Sequence, residues 1–405
     1  MDIKITPSKL SGKLIVPPSK SISHRMLICA AFCDGTTHID NLLECMDLHA
    51  TINALTALGA KINGKDGSYD ITGITQPSKK AAVDCFESGS TLRFMIPIFS
   101  AFGCEAEFTG RGKLPERPIT PLIEPMTENG AVFEMLSMPY RVKGRLNGGK
   151  YYIDGSVSSQ FITGLLFALS VLSKDSEIIL TTRLESKPYV NITIDCMKQF
   201  GVGVCKTENG YFIKGGQKYK PHNCTVEADM SQSAFFLAAN CAGSDIELTN
   251  LNLNSVQGDK AIVDIAERFR NGSDLSVIDA SDIPDLVPAI AVMMSFWEKP
   301  CRIINCERLR IKECDRLAAT TELINDLGGK AVSTENSIEI FPVEAFKGGT
   351  VRNYNDHRIA MAGAVAATRS TGEVIIKGAE CTNKSYPGFF DDFRALGGIA
   401  DVISV

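Results

Sequence analysis

Basic side chains recur in this sequence where helices are predicted to begin. The stretch Pro17 to Leu27 places Lys20 and Arg25 beside three serines that offer N-cap oxygens, and an apolar run follows. We expect Lys20 and Arg25 in the first turn of this helix, where the helix dipole repels cations. Because free N–H groups at a helix start attract anions, cations at the same place favour an anion-binding site.

Five more cations stand at or near comparable helix starts. They are Arg93, Arg117, Arg316, Arg358 and Lys384. Arginine suits a two-point grip on carboxylate or phosphate, and lysine acts as a point charge. Each residue alone has an ordinary alternative as a solvated surface side chain. Seven of them in a chain of net charge −5 indicate a ligand that carries several negative charges.

Two carboxylates are candidates for proton transfer. Asp285 follows Ile283-Pro284 at a predicted helix start, and Glu313 lies in the stretch Lys312 to Arg316. A carboxylate among cations stays ionised and is able to act as a base. The alternatives are a helix cap for Asp285 and a mixed-charge surface helix for Glu313. The sequence has neither a phosphate-binding glycine loop nor a histidine-rich cluster, so we expect no nucleotide cofactor and no metal.

Composition limits the class of protein. The chain has 405 residues, with 44% hydrophobic and 22% charged residues, as in a globular protein of two domains. Its negative charge argues against a nucleic-acid partner, and no apolar run reaches the roughly 18 residues of a membrane span. The thirteen cysteines are scattered, which favours reduced core cysteines and a cytoplasmic location.

An amphipathic helix that stops at a glycine occurs six times. The stops lie about 70 residues apart, except for a shorter fourth interval. They are Gly59, Gly130, Gly201, Gly272, Gly328 and Gly397. A second pattern, a polar start that leads into an alanine-rich apolar helix, has the same spacing. Its markers are Ser21, Ser90, Ser158, Ser231, Asp282 and His357.

These repeats predict an α/β protein of two domains with three units each. Each unit would hold a buried helix, an amphipathic helix and short strands. The short fourth interval places the junction near Pro221 to Glu227. If the buried helices run alike, their starts line a cleft between the domains and attract anions. A solenoid of stacked repeats is the alternative architecture.

Seven motifs, in order along nearly the whole chain, resemble the 3-phosphoshikimate 1-carboxyvinyltransferase (EPSP synthase) family of enolpyruvyl transferases. They are Pro18-Ser19-Lys20-Ser21-Ile22-Ser23-His24-Arg25, Ser88-Gly89-Ser90-Thr91-Leu92-Arg93, Glu116-Arg117-Pro118-Ile119, Ser158-Ser159-Gln160-Phe161, Ser186-Lys187-Pro188-Tyr189, Lys312-Glu313-Cys314-Asp315-Arg316-Leu317 and Tyr354-Asn355-Asp356-His357-Arg358.

The resemblance implies a two-domain inside-out α/β barrel, each domain built of three βαβαββ repeats, with the active site in the cleft. The first strand would belong to the C-terminal lobe. That lobe is then predicted to comprise residues 1–15 and 225–405, and the N-terminal lobe residues 16–224. The implied reaction transfers the enolpyruvyl group of phosphoenolpyruvate to the 5-hydroxyl of shikimate 3-phosphate and releases phosphate. A monomer without cofactors is the family expectation.

The motifs also imply which residues bind each substrate. Those implied for shikimate 3-phosphate are Lys20, Ser21, Arg25, Ser158, Ser159, Gln160, Ser186, Asp285 and Lys312. Those implied for phosphoenolpyruvate are Lys20, Gly89, Arg93, Arg117, Gln160, Arg316, Arg358 and Lys384. Asp285 corresponds to the family's proton acceptor, and Glu313 and Lys20 are the other candidates for proton transfer. Domain closure would exclude water from the reaction.

Two positions depart from the family pattern. Glu87 stands where many members have asparagine, and Arg308 stands where some have an asparagine that touches the shikimate phosphate, so Arg308 is not assigned to the site. Gly89 is the small residue associated with sensitivity to glyphosate, because a side chain there would crowd that inhibitor. We therefore expect glyphosate to inhibit this protein.

Two other functions remain as alternatives. UDP-N-acetylglucosamine 1-carboxyvinyltransferase has the same fold, but it carries a reactive cysteine five residues before its loop arginine, where this chain has Gly112. The Ser186-Lys187-Pro188-Tyr189 stretch also favours shikimate. The second alternative is a non-catalytic anion-binding scaffold. Phosphate release that requires both substrates separates an enzyme from such a scaffold.

Overall fold

The computed structural model describes residues 1–404 and divides into two compact units. The N-terminal unit is Pro18–Glu227, and the C-terminal unit combines Met1–Pro17 with Ala228–Val405. The lobe boundaries predicted from the sequence, after residues 15 and 224, lie within three residues of these. None of the helices in residues 1–404 is both long enough and apolar enough to span a membrane.

Short strands occur throughout both units. In chain order they are β1 (Asp2–Thr6), β2 (Ser11–Leu14), β3 (Thr36–Asp40), β4 (Lys61–Lys65), β5 (Ser68–Thr72), β6 (Lys80–Asp84), β7 (Glu105–Thr109), β8 (Ala131–Phe133), β9 (Tyr140–Gly144), β10 (Lys150–Ile153), β11 (Ser176–Leu180), β12 (Cys205–Thr207), β13 (Gly210–Ile213), β14 (Cys224–Thr225), β15 (Asp245–Leu248), β16 (Val277–Asp279), β17 (Cys301–Ile304), β18 (Lys330–Ser333), β19 (Ile338–Phe341), β20 (Gly349–Arg352), β21 (Val374–Lys377) and β22 (Ile399–Ser404).

Two kinds of helix alternate between the strands. The α-helices are α1 (Lys20–Ala31), α2 (Met46–Leu58), α3 (Gly89–Phe102), α4 (Thr120–Glu128), α5 (Ser159–Ser170), α6 (Lys187–Gln199), α7 (Met230–Cys241), α8 (Ala261–Arg270), α9 (Val287–Met294), α10 (Arg316–Asp326), α11 (His357–Ala367) and α12 (Phe389–Ala395). Short 3-10 helices span Leu114–Glu116, Gly258–Lys260, Pro284–Leu286, Glu307–Ile311 and Ala379–Lys384. The odd-numbered α-helices are buried almost throughout, and the even-numbered ones expose one face.

The N-terminal unit contains three four-stranded sheets of the same design. Their strand orders are β6-β7-β9-β8, β10-β11-β13-β12 and β14-β3-β5-β4. In each sheet the first two strands are parallel and the last two add as an antiparallel hairpin. The third sheet takes its first strand, β14, from the far end of the unit, where Cys224 pairs with Ile39. Each sheet, taken with its two helices, therefore corresponds to one βαβαββ repeat.

The C-terminal unit keeps this design in two of its three sheets. Their orders are β16-β17-β19-β18 and β20-β21-β1-β22, and β1 pairs antiparallel with both β21 and β22. The third sheet is the parallel pair β2 and β15 alone within residues 1–404. The prediction of six complete βαβαββ repeats is therefore wrong for this one. The missing hairpin accounts for the short fourth interval of the sequence pattern.

Helix ends follow the predicted signals. All six stop glycines have positive φ, from 68° at Gly272 to 122° at Gly59, a backbone region that favours glycine. Five of the buried helices have a side-chain cap, supplied by Ser19, Ser88, Ser158, Asp229 and Asp356. The exception is α9, which has no side-chain cap and continues from the 3-10 helix Pro284–Leu286.

Close packing of α3 and α5 brings two helix starts together. A Cβ on Gly164 of α5 would lie 2.3 Å from the Arg93 carbonyl oxygen of α3, so only glycine permits this approach. The apolar residues of both helices belong to one continuous hydrophobic core in the N-terminal unit. That core fixes the positions of the polar residues at the helix starts.

Candidate active site

Lys20 is the first residue of α1 and is held by a carboxylate from the next helix. Its Nζ lies 3.0 Å from Asp47 Oδ2, and both side chains are largely buried. Ser21 follows it in the first turn. The sequence interpretation missed Asp47, although an acidic residue in the first turn of α2 is a recognisable signal.

Arg25 was predicted in the first turn of α1, but it is the sixth residue of that helix. Its side chain reaches back toward the helix start, where Nη1 donates to the Ser21 carbonyl at 2.7 Å. Nε donates to Thr193 Oγ1 at 2.8 Å and Nη2 to the Tyr189 carbonyl at 3.1 Å, so Arg25 joins α1 to α6. Burial lowers the pKa of Arg25 to about 10, and the group remains a cation at neutral pH.

Arg93 and Gln160 connect the starts of α3 and α5. Arg93 Nη1 donates to Gln160 Oε1 at 2.7 Å, and Gln160 Nε2 donates to Ser90 Oγ at 2.9 Å. Arg93 Nη2 also donates to the Pro118 carbonyl at 3.1 Å, next to Arg117 in the chain. The structure thus brings these predicted site residues into one network.

Arg117 lies against Gly89, the first residue of α3. The arginine follows the 3-10 helix Leu114–Glu116, and only 8% of it is exposed. A Cβ on Gly89 would lie 2.8 Å from Arg117 Nη1, which is closer than a methyl group tolerates. Glycine at position 89 is therefore what allows the guanidinium to approach the helix start.

Three of the four serines of the predicted shikimate 3-phosphate site lie at the starts of α5 and α6. Ser158 caps α5, with its Oγ accepting from Gln160 N at 3.3 Å, and Ser159 is the first residue of the helix. Ser186 precedes α6 in a left-handed conformation with φ of 51°. Its carbonyl accepts from Tyr189 N at 3.1 Å, and Tyr189 in turn contacts Arg25.

In the C-terminal unit, Asp285 is surrounded by cations. Arg316 Nη1 lies 2.9 Å from Oδ1, Arg358 Nη2 lies 2.9 Å from Oδ2, and Lys312 Nζ lies 3.6 Å from Oδ1. Asp285 is the second residue of the 3-10 helix Pro284–Leu286, and the N-cap position of that helix is Ile283. Such surroundings keep a carboxylate in its charged form.

Arg316 is the hub of this cluster and is 1% exposed. It contacts Asp285, and its Nε donates to Asp356 Oδ2 at 2.9 Å, while Nη2 donates to Glu313. Burial opposes the charge, yet Asp356, Glu313 and Asp285 together raise the pKa of Arg316 well above its ordinary value. Glu313 lies between two helices rather than on a surface helix, so that alternative is also wrong.

Lys312 has an unusual environment beside Asp285. Burial lowers its pKa to about 8, and the attraction of Asp285 only partly offsets this. Lys384 ends the 3-10 helix Ala379–Lys384, and its Nζ donates to the Asn355 carbonyl at 2.7 Å. Arg308, which was not assigned to the site, is buried and donates from Nη2 to the Ser281 carbonyl at 2.6 Å.

The sequence interpretation missed two acids of this cluster, Asp356 and Asp259. Asp356 caps α11 and pairs with Arg316. Asp259 is buried in the 3-10 helix Gly258–Lys260 and accepts a hydrogen bond from Ser231 Oγ at the start of α7. Burial, followed by repulsion from Asp285, raises the pKa of Asp259 to about 7.

Gly112 occupies the position at which one alternative function requires a cysteine. A Cβ there would lie 2.6 Å from the Glu87 carboxyl group, and φ is +60°. A side chain at position 112 would therefore collide with Glu87 and strain the backbone.

Within residues 1–404, no group of His, Cys, Asp and Glu has the arrangement needed to hold a metal ion.

Together these features define a class of protein. One unit presents Lys20 at the start of α1, Arg93 in the second turn of α3, and Arg117 beside Gly89 at the start of α3, which suits phosphate and carboxylate groups. The other unit presents an ionised carboxylate among cations, which suits proton transfer in an anionic substrate. The α/β repeats and these residues are typical of an α/β enzyme that acts on anionic substrates.

Comparison with known proteins identifies the family. The family model described as EPSP synthase (3-phosphoshikimate 1-carboxyvinyltransferase) matches residues 5–393. The 3-phosphoshikimate 1-carboxyvinyltransferase of Clostridium kluyveri is 44% identical over 421 residues, covering 100% of this chain and 99% of that protein. The one of Clostridium beijerinckii is 41% identical over 427 residues, covering 99% and 98%.

Solved structures agree with this assignment. The EPSP synthase of Acinetobacter baumannii has a TM-score of 0.82 at 25% identity and covers 99% of this chain and 100% of its own. The enolpyruvyl transferase NikO of Streptomyces tendae, at 14% identity, shares the fold with a TM-score of 0.78 over 99% of this chain and 98% of its own. The chain belongs to the EPSP synthase family, which transfers the carboxyvinyl group of phosphoenolpyruvate to shikimate 3-phosphate in aromatic amino acid biosynthesis.

Proposed function

We propose that Asp285 is the base of the carboxyvinyl transfer and that the cations of each unit bind the anionic groups of the substrates. The observation that supports this most directly is the Asp285 carboxylate, which is oriented by Arg316 and Arg358 from both sides. Asp285 accepts the proton of the shikimate 5-hydroxyl while that oxygen bonds to C2 of phosphoenolpyruvate. The methylene carbon gains a proton in the same step and becomes a methyl group.

The tetrahedral intermediate then reverses part of this change. The C2–O bond to phosphate breaks, the methyl group loses a proton, and the enolpyruvyl double bond reforms on the new ether. Glu313 and Lys20 are the proposed partners for the protons at this carbon, with Glu313 held by Arg316 and Lys20 by Asp47. Cations near the leaving phosphate stabilise the charge that develops on it.

Substrate recognition follows the helix starts. We assign the shikimate 3-phosphate groups to Lys20, Ser21, Arg25, Ser158, Ser159, Gln160, Ser186, Asp285 and Lys312. We assign phosphoenolpyruvate to Lys20, Gly89, Arg93, Arg117, Gln160, Arg316, Arg358 and Lys384. The hydrogen bonds of Arg93 with Gln160 and the contact of Gly89 with Arg117 support this grouping within the N-terminal unit.

A phosphate-release assay tests the assignment. The purified chain receives phosphoenolpyruvate with shikimate 3-phosphate, or with UDP-N-acetylglucosamine as the competing acceptor. We expect phosphate only when phosphoenolpyruvate and shikimate 3-phosphate are both present. Release with the sugar nucleotide would instead support the sister activity, and binding without release would support a scaffold.

Three narrower properties belong to the same proposal. We propose that glyphosate competes with phosphoenolpyruvate, that the chain is a monomer, and that it works in the cytoplasm. Its thirteen cysteines are all free thiols and twelve are at least partly buried, which suits a reducing compartment. Inhibition kinetics, light scattering after gel filtration and cell fractionation test these three points separately.

A further inference from the structure

A chain of buried polar side chains lies beneath the starts of α1, α2 and α3 in the N-terminal unit. His24 Nδ1 lies 2.8 Å from Thr51 Oγ1, and Thr51 Oγ1 lies 2.8 Å from Thr91 Oγ1. Thr91 Oγ1 donates to Ser88 Oγ at 2.7 Å. All four residues are at most 1% exposed. We call His24, Thr51, Thr91 and Ser88 the hydroxyl chain.

Both ends of the hydroxyl chain are adjacent to assigned binding residues. His24 lies one helical turn after Lys20 on α1, and Ser88 caps α3 directly before Gly89. Thr91 Oγ1 also lies 3.3 Å from the carbonyl oxygen of Asp47, whose carboxylate holds Lys20. The chain therefore links three helix starts through hydrogen bonds rather than through apolar contact alone.

Burial raises the free-energy cost of breaking these hydrogen bonds. A buried hydroxyl that loses its partner is desolvated without compensation, so each member of the hydroxyl chain constrains the position of the next. His24 has a pKa well below its ordinary value, first because of burial and then because of the nearby cations Lys20 and Arg25. The ring is therefore neutral and adds no repulsion beside Lys20.

We propose that Thr51 and Thr91 are positioning residues, which act through α2, the helix that carries Asp47 and Thr51, and through Ser88 to fix Lys20 Nζ and the Gly89 end of α3 for binding phosphoenolpyruvate. This inference rests on the proposed function, in which Lys20 and Gly89 contact that substrate. Neither threonine touches substrate in this scheme. Their effect is transmitted through the starts of α2 and α3, whose relative position the hydroxyl chain fixes.

The test compares Thr51→Val, which keeps the shape and removes the hydroxyl, with Thr51→Ser, which keeps the hydroxyl. We expect Thr51→Val to lower kcat/KM for phosphoenolpyruvate about tenfold or more, because small displacements of binding groups have large kinetic effects. The KM for shikimate 3-phosphate should change little. Thr51→Ser should stay within about threefold of the parent chain.

A double variant separates positioning from stability. The double variant Thr51→Val with Thr91→Val removes both hydroxyls of this hydrogen bond, so neither is left buried without a partner. Its melting temperature should therefore be higher than that of Thr51→Val alone. The kinetic loss should remain. Ser170→Ala is the matched control, because Ser170 Oγ also makes buried hydrogen bonds, to Phe167 and Tyr219, but at the opposite end of α5. It should lower stability and leave the kinetic constants unchanged.

A second measurement does not depend on catalysis. The rate at which acetic anhydride acylates Lys20, read by mass spectrometry without substrates, reports the environment of Nζ. We expect this rate to change about threefold or more in the double variant and not in Ser170→Ala. If the parent chain were inactive but the labelling rates differed in this way, the proposed function would be wrong and the positioning role would stand. Equal labelling, or kinetic loss that simply follows melting temperature, would overturn the positioning role.

Discussion

Arg316 and Asp285 form an ion pair inside the C-terminal unit, with Nη1 2.9 Å from Oδ1. The guanidinium also contacts Asp356 and Glu313, so one buried cation fixes three carboxylates at once. Arginine suits this role because its planar donors point in fixed directions. The proposed base is thereby oriented before any substrate arrives.

Replacement of Asp285 tests its role as the base. Asp285→Ala should lower kcat by about 10²- to 10⁴-fold, the usual contribution of general acid–base catalysis. Binding of shikimate 3-phosphate should be largely retained, because the surrounding cations remain. Phosphate release gives kcat, and isothermal titration gives the binding constant. The exposed Asp391→Asn serves as control; a near-normal kcat in Asp285→Ala would remove this residue as the base.

Replacement of Gly89 tests the contact with Arg117. In Gly89→Ala the new Cβ must displace the Arg117 guanidinium, which lies 2.8 Å from its ideal position. We expect a higher KM for phosphoenolpyruvate and a higher glyphosate concentration for half inhibition, each about tenfold. Steady-state kinetics with and without glyphosate measure both.

The matched glycine for this comparison is Gly388. It has no neighbour within 4 Å of an added Cβ and its φ of −82° is accessible to alanine, so Gly388→Ala should behave as the parent chain. Absence of inhibition of the parent chain by glyphosate would contradict the expected sensitivity. Unchanged kinetics in Gly89→Ala would show that Arg117 moves aside without consequence.

The ionisation of Lys312 predicts a pH dependence of substrate binding. Burial lowers its pKa to about 8, so the free protein loses this positive charge as the pH rises through 8. We expect kcat/KM for shikimate 3-phosphate to fall above that pH, since kcat/KM reports ionisation of the free enzyme. Lys312→Arg should move this fall to higher pH, because arginine stays charged. An alkaline limb identical in both proteins would assign it to another group.

Local sequence signals were sufficient to predict the repeats and the cations. Gly59 and its five equivalents terminate helices because the backbone needs positive φ there, and a serine or aspartate caps most buried helices, so both features depend on neighbouring residues alone. Lys20 and Arg93 were identifiable because each lies close to a serine-rich helix start, although Arg93 is the fifth residue of α3. The resemblance to a family supplied the reaction, which residue spacing alone did not provide.

The partners of those cations were not predictable from the sequence. Asp356 is 40 residues from Arg316, and Thr91 is 40 residues from Thr51, so each contact exists only once the helices have packed. The second-turn location of Arg25 was not predictable because three serines were able to cap the helix, and only the structure shows that Ser19 is the cap. The incomplete repeat of β2 and β15 was visible only as a short interval, which did not reveal which strands were missing.

Asp259 predicts a pH dependence of stability. Its pKa is raised to about 7 in the folded chain by burial and by Asp285, against an ordinary value of 3.8. The folded state therefore holds this proton more tightly than the unfolded state does. Its contribution to stability is complete at acidic pH and is lost as the pH rises from about 4 through about 7.

Asp259→Asn removes this titration while leaving an oxygen that accepts from Ser231. The melting temperature of the parent chain minus that of Asp259→Asn should therefore fall between about pH 5 and about pH 7, where the folded chain still holds the proton and the unfolded chain has lost it. Calorimetric or fluorescence melting at matched ionic strength measures the difference. Asp391→Asn, an exposed aspartate of the same unit, should show a constant difference over that range. A constant difference for Asp259→Asn as well would mean that the buried carboxyl group does not titrate near neutral pH.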